Sequence, residues 1–290
     1  MHACGHDFHT AIGLGLLKYF SVYESELYGK VRVIFQPGEE AAPGGAEKVV
    51  QENLWNNVKG ILTVHVDPSM DSGKFILLNG VVQASSTSFL IEISGQGGHT
   101  SKPFETVDLI SVAGFYIVQL QAFLRQKIDP RERFVFAFGS IKGGSAHNVI
   151  PQNICIRGTI RTFDNDVLNH IRNLIHHFSS AFKKLYGAVV NIQSPTSCPA
   201  SINDSALHKK FLDFMKERAD ETDLIIPLKP SMGADDFSFY LKKVPGLYLR
   251  IGGAGKGTLH SGDLLLNEDL LKPAVKYLTA FIASLFRTQK

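Results

Sequence analysis

The chain has 290 residues, of which 44% are hydrophobic and 20% are charged, with a formal net charge of +3. This is the composition of a globular protein that can bury a core, and the charge balance indicates neither a nucleic acid nor a membrane surface as partner. No apolar run has the length of a bilayer span, and we expect no signal peptide. Three widely spaced cysteines argue against a disulfide framework and favour a reducing cytoplasm.

The first part of the chain predicts helices and strands in alternation. We expect a helix over Ala11–Phe20, a strand over Lys30–Gln36 and a helix over Ala46–Asn53. Val58–Val66 is a mostly apolar run of strand length, which is typical of a buried parallel strand. This order of elements indicates an α/β layer.

The pattern restarts near Ser85 with the order β-α-β-β-α-β. The six predicted segments are residues 88–96, 108–126, 133–143, 153–163, 164–186 and 188–195. Asp164 is expected to be the N-cap of the second helix, because its side chain can accept a bond from the first turn. The order is that of a ferredoxin-like domain.

After Pro199 the alternation of helix and strand resumes. It predicts a helix over residues 204–218, a strand over 246–252 and a final helix from Asn267. The simplest account is one α/β domain split by an inserted βαββαβ domain. The predicted boundaries are 1–84 and 199–290 for the split domain and 85–198 for the insertion.

Two short stretches carry groups suited to metal chemistry. Cys4 and His6 are separated by one residue, and a thiolate and an imidazole both suit zinc, although a cysteine is also a common packing residue. Glu39 and Glu40 follow a predicted strand. They are either a solvated surface pair or a functional pair, in which one binds metal while the other accepts a proton from water.

Two histidines also follow predicted strands. His65 ends an apolar run and could be a core histidine, and His260 could be a solvated loop residue. Taken together, five candidate ligands fall at strand ends or loops of the same expected sheet: Cys4, His6, Glu40, His65 and His260. Five ligands and one spare carboxylate suit two metal ions about 4 Å apart, which promote attack of water on an amide or ester carbonyl.

Seven motifs then carry a resemblance to a known family. In chain order they are MHACGHDFH, QPGEEAAPGGA, GQGGHTSKP, SAHNVIP, RGTIRTF, MGADDFSFY and LHSGD, which span residues 1 to 263. They resemble the motifs of the M20 metallopeptidase family, in the branch of amidohydrolases that includes hippurate hydrolase, N-acyl-amino-acid deacylases and auxin-conjugate hydrolases. Asp235 stands where many members have Glu.

The resemblance implies a split α/β metallohydrolase catalytic domain with an inserted ferredoxin-like lid that also forms a homodimer. It implies that Cys4 bridges two divalent ions and that Glu39 is the general base. The other implied metal ligands are His6, Glu40, His65 and His260. Zn²⁺ or Mn²⁺ is the expected metal, with Co²⁺ as a third option, because the donor set mixes thiolate, imidazole and carboxylate.

The resemblance also implies roles for three residues of the lid. His99 matches a histidine that stabilises the tetrahedral oxyanion, and Asn148 and Arg161 match residues that hold the substrate. A guanidinium binds a carboxylate bidentately, so Arg161 is the candidate for recognising a substrate carboxylate. The residues alone leave alternatives open, since His99 could be a turn histidine and either Arg157 or Arg161 could be solvated.

The expected activity is therefore hydrolysis of N-acyl amino acids by metal-activated water, giving a carboxylic acid and an amino acid. A dipeptidase on the same scaffold is the alternative enzyme. Members of the family carry a further segment before the first motif, so we expect a truncated chain that lacks part of the catalytic sheet. An inactive metal- or ligand-binding fragment is the alternative of a different class.

Overall fold

The computed structural model describes residues 3–40, 44–220, 223–227 and 229–286. Met1 and His2 of the first motif and residues 41–43 of the second lie outside the described residues. The chain has a mixed α/β fold and divides into two compact units. Unit 1 comprises Met1–Val82, Ser201–Pro230 and Asp236–Lys290, and unit 2 comprises Gln83–Ala200 and Ser231–Asp235.

The elements are numbered in chain order. The helices are α1 (His6–Val22), α2 (Gly45–Val49), α3 (Leu109–Lys127), α4 (Asn165–Tyr186), α5 (Ser205–Arg218), α6 (Ser238–Leu241) and α7 (Leu271–Phe286). The strands are β1 (Ile61–Asp67), β2 (Phe75–Ile76), β3 (Gly80–Gln83), β4 (Ser85–Ser94), β5 (Gly98–His99), β6 (Phe134–Gly143), β7 (Val149–Ile150), β8 (Asn153–Thr162), β9 (Val189–Gln193), β10 (Ser197–Cys198), β11 (Ser201–Asn203), β12 (Leu224–Ile225) and β13 (Gly246–Gly252).

The main sheet of unit 1 has the strand order β1-β13-β2-β12. β1 and β13 run parallel and His65 lies opposite Arg250, while β2 is antiparallel to β13. Apolar side chains of β1 and β13 pack with α1, α5 and α7, and Phe211 and Phe281 are fully buried in that core. Such two-sided burial explains why β13 reads as a nearly continuous apolar run.

The predicted strand over Lys30–Gln36 is wrong. Within the described residues this segment forms no strand ladder. Its alternating apolar residues instead lie against the first helix. Val33 and Phe35 are the nearest side chains to the position that a Cβ on Gly13 of α1 would occupy. Alternation therefore indicated which side chains pack but not which strand would pair with the segment.

The sheet of unit 2 is antiparallel. β4 lies between β8 and β9, and β6 pairs with the far side of β8. α3 and α4 pack with the sheet through a separate core that includes Ile91, Tyr116 and Ile156, all fully buried. The Asp164 carboxylate accepts bonds from Asp166 N and Val167 N, which confirms the predicted N-cap of α4.

Several predicted elements agree closely with the structure. β13 has the predicted bounds, and α3, α4 and α5 each begin one residue after their capping aspartate. The predicted helix over Ala46–Asn53 is shorter, since α2 covers only Gly45–Val49. Among the described residues no helix combines the length and apolar character needed to cross a membrane.

A glycine in β8 permits close packing at the centre of the unit 2 sheet. A Cβ added to Gly158 would lie 2.2 Å from Ala137 O and 2.3 Å from Phe89 Cζ. At Gly139 of β6 an added Cβ would meet no atom within 4 Å. We expect Gly158→Ala to lower the free energy of unfolding by about 1–3 kcal/mol, because overpacking shifts neighbouring groups.

Urea denaturation of both variants checks this prediction. Gly139→Ala is the matched control on the same sheet and should leave the unfolding midpoint close to that of the wild type. Equal midpoints for Gly158→Ala and the wild type would contradict the packing described above.

Candidate metal centre

The turn into α1 carries Cys4 and His6 on either side of a glycine, and His6 is the first residue of the helix. Gly5 has a φ of 75°, in the left-handed region that side chains disfavour. A Cβ on Gly5 would also lie 2.4 Å from Val66 Cγ2 at the end of β1. The CGH sequence therefore turns sharply against β1, with the Cys4 side chain buried and the His6 side chain half-exposed.

Glu39 and Glu40 lie in a loop whose two arms touch. Gly45 N donates to Gly38 O at 3.2 Å, and Gly38 has a φ of 66°. A Cβ on Gly45 would lie within 1.8 Å of Pro37 O, so only glycine fits where the arms meet. This close approach explains the glycines at both ends of the QPGEEAAPGGA motif.

Backbone groups of Val66 orient two histidine rings. His65 Nδ1 donates to Val66 O at 2.7 Å, and this tautomer presents the Nε2 lone pair to Cys4 Sγ, 3.4 Å away. Val66 N donates to His9 Nε2 at 3.0 Å, and the rings of His9 and His65 are 4.6 Å apart. Desolvation, followed by the charges of His65 and His6, holds the pKa of His9 well below 6.5.

His260 reaches the cluster from the loop after β13. Its φ of 67° is uncommon for a residue with a side chain, and its backbone N donates to Ala3 O beside Cys4. The strained backbone thus places the imidazole next to the first loop, and the side chain remains more than half exposed. Strain of this kind is found where geometry serves a site.

The predicted ligands and Glu39 all come together in unit 1, and three sets of their donor atoms lie within 4.8 Å of one another. The sets are Cys4, His6 and His65; Cys4, Glu40 and His260; and His6, Glu39 and Glu40. His260 Nδ1 lies 3.7 Å from Glu40 Oε1, and His6 Nε2 lies 3.6 Å from Glu39 Oε2.

These spacings fit divalent ions. Ligand atoms bonded at 2.0–2.3 Å to one tetrahedral ion are about 3.5 Å apart, close to the Cys4–His65 and Glu40–His260 separations of 3.4 and 3.7 Å. Cys4 is the only residue that the first two sets share. The donor set is therefore suited to two ions joined by one thiolate, with Glu39 beside them.

The contact between His9 and Val66 cannot be predicted from the sequence. His6 and His9 are three residues apart and share one face of the first turns of α1, which is a detectable spacing. The spacing does not reveal the hydrogen-bond partner of His9. The Val66 N–H faces His9 only once β1 pairs with β13 on its other side.

Three further predicted residues lie in unit 2. β5 and β7 pair so that His99 lies opposite Val149, and Thr100 N donates to Asn148 O at 3.1 Å, which brings His99 and Asn148 close together. His99 is exposed, and its Nδ1 accepts a bond from Ser101 N at 3.1 Å, so the neutral ring carries its proton on Nε2. GQGGH thus includes a short strand rather than only a turn.

The structure separates the environments of the two arginines of β8. Arg157 is exposed, whereas Arg161 is half-buried and donates from one Nη to Met232 O at 2.9 Å. A guanidinium has five N–H donors, so this bond leaves capacity for an anionic partner. Of the two alternatives, Arg161 is the one held in a fixed position.

Comparison with known proteins identifies the family of the chain. The model of peptidase family M20/M25/M40 matches residues 1–284. The chain is 32% identical over 279 residues to the N-acetyl-L-cysteine deacetylase of Bacillus subtilis and 34% identical over 280 residues to the IAA-amino acid hydrolase ILR1-like 4 of Arabidopsis thaliana. These alignments cover 96% and 93% of the chain but 66% and 63% of the relatives.

A solved structure shows a similar fold. The YXEP protein of Bacillus subtilis, described as a dinuclear metal binding peptidase from the M20 family, is 29% identical with a TM-score of 0.82, covering 99% of this chain and 73% of that one. The fold and the matched relatives are those of a metal-dependent hydrolase. The chain belongs to peptidase family M20/M25/M40, whose matched members include enzymes that act on amide bonds.

The role of His9 can be tested without metal. His9→Ala removes the acceptor of the buried Val66 N–H, and we expect the metal-free chain to lose about 1–3 kcal/mol of unfolding free energy. His9→Gln should recover part of this loss, because its amide oxygen can accept the same bond. Urea denaturation provides the measurement.

His170→Ala is the matched control, since it removes an exposed histidine from α4. It should change the unfolding free energy little. If His9→Ala is as stable as this control, the His9–Val66 bond does not support the site.

Proposed function

We propose that the chain is a metal-dependent amidohydrolase that cleaves N-acyl amino acids into a carboxylic acid and an amino acid. The observation that carries the proposal is the convergence of Cys4, Glu39 and four other donors from separate segments of unit 1. Family membership supports it, as do the relatives named as a deacetylase and an amino acid conjugate hydrolase.

The proposed ligands of one ion are Cys4, His6 and His65, and those of the other are Cys4, Glu40 and His260. Zn²⁺ or Mn²⁺, with Co²⁺ as a third option, would supply Lewis-acid activation of water and of the amide carbonyl. The exposure of His260 and Glu40 supports a catalytic rather than a structural site, because substrate needs an open coordination position.

Glu39 is the proposed general base. Its carboxylate lies 3.6 Å from His6 Nε2 and its side chain is about one-third exposed, so a water molecule can reach it. Glu39 would accept a proton from the attacking water and then donate that proton to the leaving nitrogen. Glu40, the next residue in the sequence, would instead bind a metal ion together with Cys4 and His260.

Unit 2 is the proposed ferredoxin-like lid, with boundaries near the predicted residues 85 and 198. Its element order and the strand order β9-β4-β8-β6 support this assignment. His99 would donate from Nε2 to the oxyanion, while Asn148 and Arg161 would hold the substrate. The bond from Ser101 N supports the role of His99, because it leaves Nε2 as the donor.

A homodimer through unit 2 is part of the proposal. β6 is an edge strand among the described residues, and Val135 and Ile141 on it are exposed. Ile110 and Val118 of α3 are also exposed, at 56% and 68%. An unpaired edge and an apolar helix face favour association with a second copy. The chain has only three cysteines, which are far apart in the sequence, and this composition supports the proposed reducing cytoplasm.

Paired substitutions test the base. Glu39→Gln should retain both metals and lose about 10²- to 10⁴-fold in kcat on N-acetyl amino acids, because proton transfer is removed. Glu40→Gln should lose metal as well as activity. Metal content by mass spectrometry and steady-state hydrolysis rates provide the measurements. A near wild-type rate for Glu39→Gln would show that Glu39 is not the base.

The alternative of a dipeptidase is tested on the wild-type protein. We expect hydrolysis of N-acetyl amino acids and little hydrolysis of the corresponding free dipeptides, which need a subsite for an ammonium group. Faster turnover of the dipeptides would reverse the assignment of substrate class.

The dimer prediction concerns the exposed apolar residues of unit 2. Val118→Glu and Ile141→Lys should shift the protein from dimer to monomer in sedimentation velocity, because they place charges in the proposed interface. Val189→Glu, on the exposed face of β9 at the opposite edge, is the control and should remain dimeric. A monomeric wild-type protein would contradict the proposal.

A further inference from the structure

The second aspartate of the MGADDFSFY motif, Asp236, lies against the loop of Glu39 and Glu40. Asp236 is only 8% exposed. Its Oδ2 accepts a bond from Gln36 Nε2 at 2.7 Å and another from Ala46 N at 3.1 Å. One carboxylate oxygen therefore joins the residue before the loop to the helix after it.

A second bond fixes the orientation of the glutamine. The buried Tyr240 donates from its hydroxyl to Gln36 Oε1 at 2.7 Å. The amide of Gln36 thus has its oxygen on Tyr240 and its nitrogen on Asp236, so neither rotation nor a flip of the amide preserves both bonds. Asp236 and Tyr240 lie four residues apart and act on the same side chain.

The backbone is adapted to this carboxylate. A Cβ on Gly44 would lie 2.2 Å from Asp236 Oδ2, and one on Gly45 would meet Pro37 O. The GG pair of the second motif therefore lets the chain pass directly over Asp236. Removal of the carboxylate would leave Ala46 N without this acceptor, while the bond between Gly45 N and Gly38 O would remain.

We propose that Asp236 is a positioning residue that holds the loop carrying Glu39 and Glu40 in register with His6 and His260. This inference rests on the proposed function, since it concerns the base and one ligand of that site. Asp236 acts through the loop, and its effect should appear in metal affinity and in kcat rather than in KM.

The test uses Asp236→Ala, Asp236→Asn and Tyr240→Phe in the full chain. Asp236→Ala should weaken binding of Zn²⁺ or Mn²⁺, measured by chelator competition, and lower kcat, each by about ten- to a hundredfold, because the groups that orient ligands have effects of this size. Asp236→Asn should recover most of both, since its amide oxygen accepts the same bonds. Tyr240→Phe should have a smaller effect, because Gln36 keeps its bond to Asp236.

Two further measurements separate positioning from general destabilisation. Hydrogen exchange of the metal-free Asp236→Ala variant should accelerate in the peptide over residues 36–46 and remain unchanged in β13. Asp223→Ala is the matched control, because it removes a carboxylate of the same unit that accepts a bond from Tyr277. It should leave metal affinity and kcat unchanged.

The inference is overturned if Asp236→Ala has the same metal affinity, the same kcat and the same hydrogen exchange as the wild type. Failure of the proposed function looks different: a wild-type chain that binds two metals but hydrolyses no N-acyl amino acid contradicts that function. In that case a loss of metal affinity and faster exchange in Asp236→Ala still uphold the role of Asp236.

Discussion

The proposed site depends on one buried thiol. Cys4 Sγ is the only donor shared by the two ligand sets that fit one ion each, so its position decides whether two ions can lie side by side. That position follows from Gly5, whose left-handed backbone turns the chain against Val66, and from Ala3, whose carbonyl accepts the backbone N–H of His260. A short turn at one end of the chain thereby connects to a loop more than 250 residues away.

The rest of unit 1 supports this turn through backbone bonds rather than through side-chain charge. Val66 orients His65 with its carbonyl and His9 with its N–H. Both groups are available because β1 pairs with β13 through its other edge. Asp236 and Gln36 hold the loop of Glu39 in place in the same way, through hydrogen bonds. In both places a buried polar group is hydrogen-bonded, and satisfied buried groups add rigidity rather than cost stability.

The candidate metal ligands were easier to predict from the sequence than the groups that hold them in position. Cys4, His6, Glu40, His65 and His260 could be selected because residue types and motifs are visible in the sequence, and the capping aspartates of α3, α4 and α5 mark their helices equally clearly. The strand over Lys30–Gln36 was wrong because alternation does not specify a pairing partner. The partners of His9 and Asp236 could not be predicted, since they are backbone groups or residues up to 200 positions away.

The central claim is that five side chains of this chain would hold two ions, with the Cys4 thiolate in both ligand sets. Native mass spectrometry of the protein loaded with Zn²⁺ or Mn²⁺, compared with Cys4→Ala and with Cys155→Ala as the control, tests it directly. The account predicts two ions in the wild type and in Cys155→Ala and loss of both ions in Cys4→Ala. A wild-type chain without bound metal, or a Cys4→Ala variant that keeps two ions, would contradict it.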